Sequence, residues 1–254
     1  MGGLVAVAGY TLVLLSNRAG WPVSLAFACS VLLAILSGLI MEMLVYRPLF
    51  VRKSSTLAVA ISSFAAYLVM VNTMAWLFSS QQAVVKGERL TFWAEELLST
   101  LPQLASILIA IMAFLLISAG LKSRFGNAIK AMEDSPDLLR TLGWDIMTIR
   151  MACIVASSAL GGLAGCLVAL DTGIEPGMGM SGLLGALVAV VVAGPGAYRG
   201  LLPVALLLAV LQQTFGYYVS PRWESAISFT ILTGFLIFRP HGLFSSHRRV
   251  EELT

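Results

Sequence analysis

Ile107-Leu-Ile-Ala-Ile-Met-Ala-Phe-Leu-Leu-Ile117 is an unbroken apolar run with no alternation of polar and apolar positions. A strand of a membrane barrel alternates over about ten residues. A run apolar on every side belongs to a helix in a protein core or in lipid. Val31-Leu-Leu-Ala-Ile-Leu36 reads the same way. Working outward, apolar segments fall at 3–16, 23–45, 56–78, 103–120, 149–170, 180–193, 201–219 and 225–238. A spanning helix takes about 20 residues, so eight of them use roughly 160 and leave only short loops. Of the 254 residues, 58% are hydrophobic and 11% charged. A soluble domain carries about 25% charged residues, and the mean hydropathy here is +0.90. A soluble enzyme, a nucleic-acid binder and a disordered regulator are excluded. The expected fold is all-α: one polytopic transmembrane helix bundle over 1–254, with about eight spans in membrane lipid.

Charge sets the expected orientation. Arg47, Arg52 and Lys53 crowd a loop without acids, which places it on the cytoplasmic side. Alternation then puts 17–22, 79–102, 171–179 and 220–224 outside. Of the sixteen basic residues only Arg18, Lys86, Arg89 and Arg222 fall there. Both termini are expected in the cytoplasm. The net charge of +3 reflects these basic inner loops, so no nucleic-acid partner follows from it. The opening apolar run has no basic segment before it, which argues against a cleaved signal peptide.

The inner loop 121–148 is too charged to enter lipid, with Lys122, Arg124, Lys130, Glu133, Asp134, Asp137, Arg140 and Asp145. It is also full of helix signals. Asn127 is placed to cap a turn from Ala128 to Glu133. Ser135-Pro136-Asp137 supplies an N-cap, a first-turn proline and a first-turn acid. Leu138, Leu139 and Leu142 form a small apolar face, Gly143 is placed to close that helix, and Asp145 to cap the next span. Two short helices are expected across the inner face, fit for a partner or for packing within the chain.

Elsewhere the signals are structural first. Phe92, Trp93, Leu97, Leu98 and Leu101 oppose Glu95 and Glu96, as in a short amphipathic helix at the interface. Ser157, Gly161, Gly165 and Ala169 form one row of small residues, and Ser158, Gly162 and Cys166 another; such rows let helices approach closely in lipid. Asp171-Thr-Gly-Ile-Glu-Pro-Gly-Met-Gly-Met-Ser-Gly182 breaks any helix. It reads as an outer turn or as substrate path, with Asp171 and Glu175 facing an ammonium group and the backbone of Gly177 and Gly179 open to a carboxylate. Asn72, Thr73, Gln212, Gln213 and Thr214 lie inside spans and are expected to bond between helices. Glu42 reaches the interface or pairs with Arg47.

Several chemistries drop out. Gly179-Met-Ser181-Gly182 has the form of an intramembrane serine protease motif, but that serine needs a histidine within hydrogen-bond reach. His241 and His247 follow the last span, roughly 30 Å away across the hydrocarbon. Cys29, Cys153 and Cys166 sit in apolar runs and read as small hydrophobes; no metal-ligand spacing occurs. No phosphate-binding Gly-x4-Gly-Lys-Ser/Thr loop is present, so the chain has no cofactor of its own and any ATP is bound by partner subunits.

Phe125-Gly-Asn-Ala-Ile-Lys-Ala-Met-Glu-Asp134 with Leu142-Gly143 resembles the cytoplasmic loop of ABC transporter permeases for branched-chain amino acids. Tyr46-Arg-Pro48, Ile174-Glu-Pro-Gly-Met-Gly179, Gly194-Pro-Gly196 and Arg239-Pro-His-Gly-Leu-Phe244 follow in the family's order. The resemblance implies a bacterial inner-membrane, multi-pass, non-enzymatic subunit of an importer. Its partners would be a second, usually different, permease chain, two ATPase subunits and an external binding protein. It makes the short inner helices coupling helices, with Ala131, Glu133, Asp134 and Gly143 on the motif, and Ala128 and Ala131 small enough for close seating. Family members begin with a further apolar segment ending in an Asn-Phe-Ala-His-Gly-like stretch; this chain opens at Met1-Gly2-Gly3, where that stretch would be finishing. Many relatives have a lysine near Gly185, absent here, so branched-chain or other amino acids, urea and short amides all stay open. A secondary transporter without ATP is the rival. It calls for inverted repeats and paired intramembrane charges, and neither stands out in the sequence.

Overall fold

A computed structural model describes residues 1–52, 54–78, 95–134, 143–175, 177–194, 198–218 and 224–238 of the chain. Among them are ten α-helices, one π-helical turn and no strand. The helices are α1 (Gly2–Asn17), α2 (Val23–Met41), α3 (Arg47–Val51), α4 (Thr56–Phe78), α5 (Glu95–Leu121), α6 (Arg124–Asp134), α7 (Ile146–Asp171), α8 (Met178–Ala193), α9 (Tyr198–Tyr218) and α10 (Glu224–Phe238). Each of the eight apolar segments coincides with a helix. Among the described residues, four stretches are long and apolar enough to cross a membrane: Val23–Val51, Leu57–Phe78, Ile146–Asp171 and Gly200–Tyr218. Ser106–Leu121 and Arg124–Met132 make a fifth as a pair bent by 79°. The protein is an all-helical, multi-pass membrane protein.

Residues 95–102, expected in a separate surface helix, continue into α5 instead. The helix runs through Pro102, which membrane helices tolerate where neighbouring groups take up the freed carbonyl. Phe92 and Trp93 lie outside the described residues.

The chain forms two compact units, Met1–Met180 and Ser181–Thr254. In the first, α1 is the interior helix. It packs along α7, α2 and α4, and Leu4, Ala6, Ala8, Tyr10, Leu12 and Val13 are buried. At 16 residues it is about 24 Å long, yet being apolar on every side it suits a protein-lined position. By contrast, Leu57, Ile61 and Val69 of α4 and Leu108, Leu115 and Leu116 of α5 are exposed, as a lipid-facing surface requires. In the second unit Val188, Ala189, Val192 and Ala193 of α8 meet Val204 and Leu208 of α9, with Ile231, Leu232 and Phe235 of α10 packed against them.

α2 passes into α3 through the π-turn Glu42–Tyr46. The cause is Pro48 in the first turn of α3. Proline has no N–H to give the preceding turn, and its ring presses on the carbonyl four residues back. A wider turn just before it relieves that contact.

Candidate functional site

The residues expected to couple to a partner gather where α5, α6 and α7 meet. α6 turns off α5 at Gly126, where a Cβ would run into the backbone of Leu121. Ser123 caps the new helix through its Oγ, which accepts from the Gly126 N–H at 3.3 Å. α6 therefore starts at Arg124, four residues before the turn expected from Asn127. That expectation overlooked Ser123, a stronger start signal in front of the helix.

The apolar face of α6 is Phe125, Ala128, Ile129 and Met132, at i, i+3, i+4 and i+7. It packs with Ala131 onto Ile146, Ile149 and Cys153 of α7. Ala128 is buried, so its small side chain serves the seat on α7 rather than an outward seat. Arg124 and Asn127 face outward and are exposed. Glu133 and Asp134 form the last turn of α6. Beyond them, the second short helix expected over Ser135–Leu142 lies outside the described residues. Gly143 has φ +79°, the left-handed conformation that closes a helix. Trp144 meets Phe125 edge-on, with ring centroids 6.4 Å apart, and so ties the loop's end to its beginning.

Asp145 caps α7 as expected. Its Oδ1 accepts the Met147 N–H at 3.1 Å, and its Oδ2 accepts the Thr148 hydroxyl at 2.9 Å. The Thr148 bond first, and the Met147 bond after it, hold the Asp145 carboxyl below the usual carboxylate range.

Glu42 is not partnered by Arg47. It is fully buried in the π-turn and joined to Arg150 of α7, whose Nη2 and Nε donate to Oε1 at 2.9 and 3.3 Å. The Arg150 guanidinium also lies 4.1 Å over the Phe50 ring of α3. Here is a paired charge inside the spans that the sequence did not disclose. The signal was present: an acid low in one span, and an arginine one turn into another. A buried carboxylate demands such a partner.

Higher on α7, the row Ser158, Gly162, Cys166 is buried, as are Gly165 and Ala169. A Cβ on Gly165 would strike the Val5 carbonyl, and one on Gly162 would sit 2.8 Å from the Ala34 Cβ. Gly161 has only the Leu4 Cβ nearby, at 3.9 Å. Ser158 fits into the space left by Gly38 of α2. It lines a small cavity of about 50 Å³ with Ser63, Tyr46, Tyr67 and Met70.

After α7 the chain doubles back along α1. Gly173 has φ +79°, Ile174 is buried beside Gly9, and Gly179 crosses Gly2 backbone to backbone. Asp171, Glu175 and Gly177 remain exposed while Gly179 is buried. The stretch is thus partly packed into the bundle, and its glycines permit that packing. Asn72, Thr73 and Thr214 are exposed and donate to carbonyls one turn back in their own helices at 2.7 Å, not to another helix. A polar side chain in a helix always has that carbonyl within reach.

The fold defines a multi-pass helical membrane protein with an amphipathic helix folded back onto the start of a spanning one, and its class comes from the family comparison. The sequence profile described as "branched-chain amino acid transport system / permease component" matches residues 1–236. The chain belongs to that family. The high-affinity branched-chain amino acid transport system permease protein BraD of Pseudomonas aeruginosa is 25% identical over 254 residues, covering 96% of this chain and 82% of BraD. LivH of Escherichia coli, a permease protein of a system described in the same words, is 23% identical, with 91% and 78% covered. The probable permease LivH of Methanocaldococcus jannaschii is 24% identical, with 81% and 70% covered. No solved structure matches the chain.

Proposed function

We propose that this chain is the membrane-spanning subunit of an ATP-driven importer for branched-chain or other amino acids. It works beside a second permease chain and two ATPase subunits, and takes its solute from an external binding protein. Eight spans cross a bacterial inner membrane, α1 and α8 being the two short ones, with both termini in the cytoplasm. The exposed aromatics Trp76, Tyr217 and Tyr218 at the ends of α4 and α9 suit the outer interface. The chain binds no cofactor and catalyses no reaction; its ATPase partners bind and hydrolyse ATP. Asp171, Glu175, Gly177 and Gly179 border the solute's path.

The observation that carries this reading is α6. It turns 79° from the preceding span, grips the first turn of α7 with its apolar face, and leaves Arg124 and Asn127 outward. A helix so placed, on a chain without a phosphate loop, is suited to receive force from another protein. Coupling is assigned to Glu133 and Asp134 on α6 with the exposed Asn127 beside them, Ala128 and Ala131 holding that helix to α7, and Gly143, with φ +79°, before the next span.

Single cysteines at Asn127 and Glu133, cross-linked in native membranes, are expected to capture an ATPase subunit. A purified intact complex with no ATPase attached at either position would contradict the assignment.

A further inference from the structure

The Arg150 guanidinium touches the π-turn region on both sides. Its edge bonds to Glu42, the first residue of the turn. Its face covers Phe50, in the short helix after the turn. No residue of α3 is buried, and Phe50 is 42% exposed. The arginine thus ties α3 to α7. A π-turn interrupts the regular hydrogen bonding of a helix, and here, within the continuous stretch Val23–Val51, it is held to a side chain of another helix.

Arg150 follows Ile149 directly, and Ile149 is the fully buried residue on which α6 sits. A displacement of α6 moves the first turn of α7, and with it the guanidinium. Only one carboxylate oxygen of Glu42 is engaged; Oε2 is buried with no hydrogen-bond partner among the described residues. Oε2 thus leaves the guanidinium a second acceptor on the same carboxylate, one that a slide from Oε1 would reach with the charges still together. Separation would cost far more, since it strands a buried charge.

We infer that Arg150 is the positioning residue that carries motion of α6 into α2 and α3, with the Glu42–Tyr46 turn as the hinge that it drives. The inference rests on the reading of α6 as the seat of an ATPase. Arg150 acts through other groups and touches no solute.

Arg150→Lys separates its two contacts. A lysine keeps a positive charge for Glu42 but has no planar face for Phe50 and no fork to slide along the carboxylate. In the complete importer reconstituted in vesicles, solute moved per ATP hydrolysed is expected to fall about tenfold, with ATP hydrolysis held within about twofold. Phe50→Leu, on a half-exposed ring whose loss leaves the ion pair intact, is expected to act in the same direction by about threefold. Uptake and hydrolysis falling in step, or an unchanged ratio in both variants, would overturn the inference. A wild-type complex with no ATP-driven uptake would instead remove the importer reading beneath it. Normal wild-type coupling with unchanged variants would remove the joint alone.

Discussion

Between Ser158 and Ala169, α7 lies close against the backbones of α1 and α2, with Gly165 on Val5 and Gly162 on Val31, the Ala34 methyl beside it. Between Ile146 and Arg150 it lies against side chains: the apolar face of α6, the Phe50 ring and the Glu42 carboxylate. Backbone contact leaves no room for adjustment, because a helix barrel has no rotamers. Side-chain contact can slip from one arrangement to another while staying packed. One helix thus combines a fixed half with an adjustable end, and the adjustable end is the one beside α6. A coupling element needs that division, since motion delivered at one end must turn about something that holds.

The contrast is easily broken at its rigid half. Gly165→Leu drives a side chain into the Val5 carbonyl. Overpacking usually costs about 1–3 kcal/mol, and against backbone it should reach about 3 kcal/mol or more. The variant is expected to be lost from the membrane fraction or to unfold at a markedly lower temperature in detergent. Wild-type stability would show that α1 and α7 do not cross there.

Gly126→Ala tests the corner. Its methyl group meets the backbone of Leu121, so α6 must tilt, at a cost of about 1–3 kcal/mol. Because the strain is local, the bundle should stay assembled while cross-linking between cysteines at Ile129 and Ile149 declines. Undiminished cross-linking would mean that the corner has slack.

Asp145→Ala is a smaller perturbation with a pH signature. The native hydrogen bonds depress the carboxyl's pKa, so the charged cap stabilises α7 above the unfolded value of about 3.9 and fades as pH falls through the folded value. The melting difference between wild type and Asp145→Ala should narrow as pH drops from about 5 to about 3. A constant difference would mean that the carboxylate's charge plays no part.

Gly161→Ala should do least, within about 0.5 kcal/mol. The added methyl meets only the Leu4 Cβ, at ordinary contact distance. Severe destabilisation would show that the crossing face includes Gly161.

Much of this was legible in the residues. Apolar runs located every long helix, because lipid demands apolar length and little else does. Asp145 announced its role, since an N-cap depends on neighbours only a few positions away, and Gly143 its left-handed φ. Small residues on α7 announced close packing, but two candidate rows ran side by side. The position of α1 and α2 drew on both, burying Gly165 and Ala169 of one row with Ser158, Gly162 and Cys166 of the other. Pairing over long range was only half legible: Glu42 within a span announced the need for a partner, but nothing near it names Arg150, 108 residues away, and Arg47 was the nearer guess. Asn72 and Thr73 misled for the opposite reason, as their own helix satisfied them.

Sidedness tests the central claim most directly. A single cysteine at Asn127, on the exposed side of α6, would be treated with a membrane-impermeant maleimide in intact cells and again after permeabilisation. Labelling only after permeabilisation is expected, since the α6 corner must face the compartment that holds ATP. Full labelling in intact cells would put the corner outside, where no ATPase could grip it.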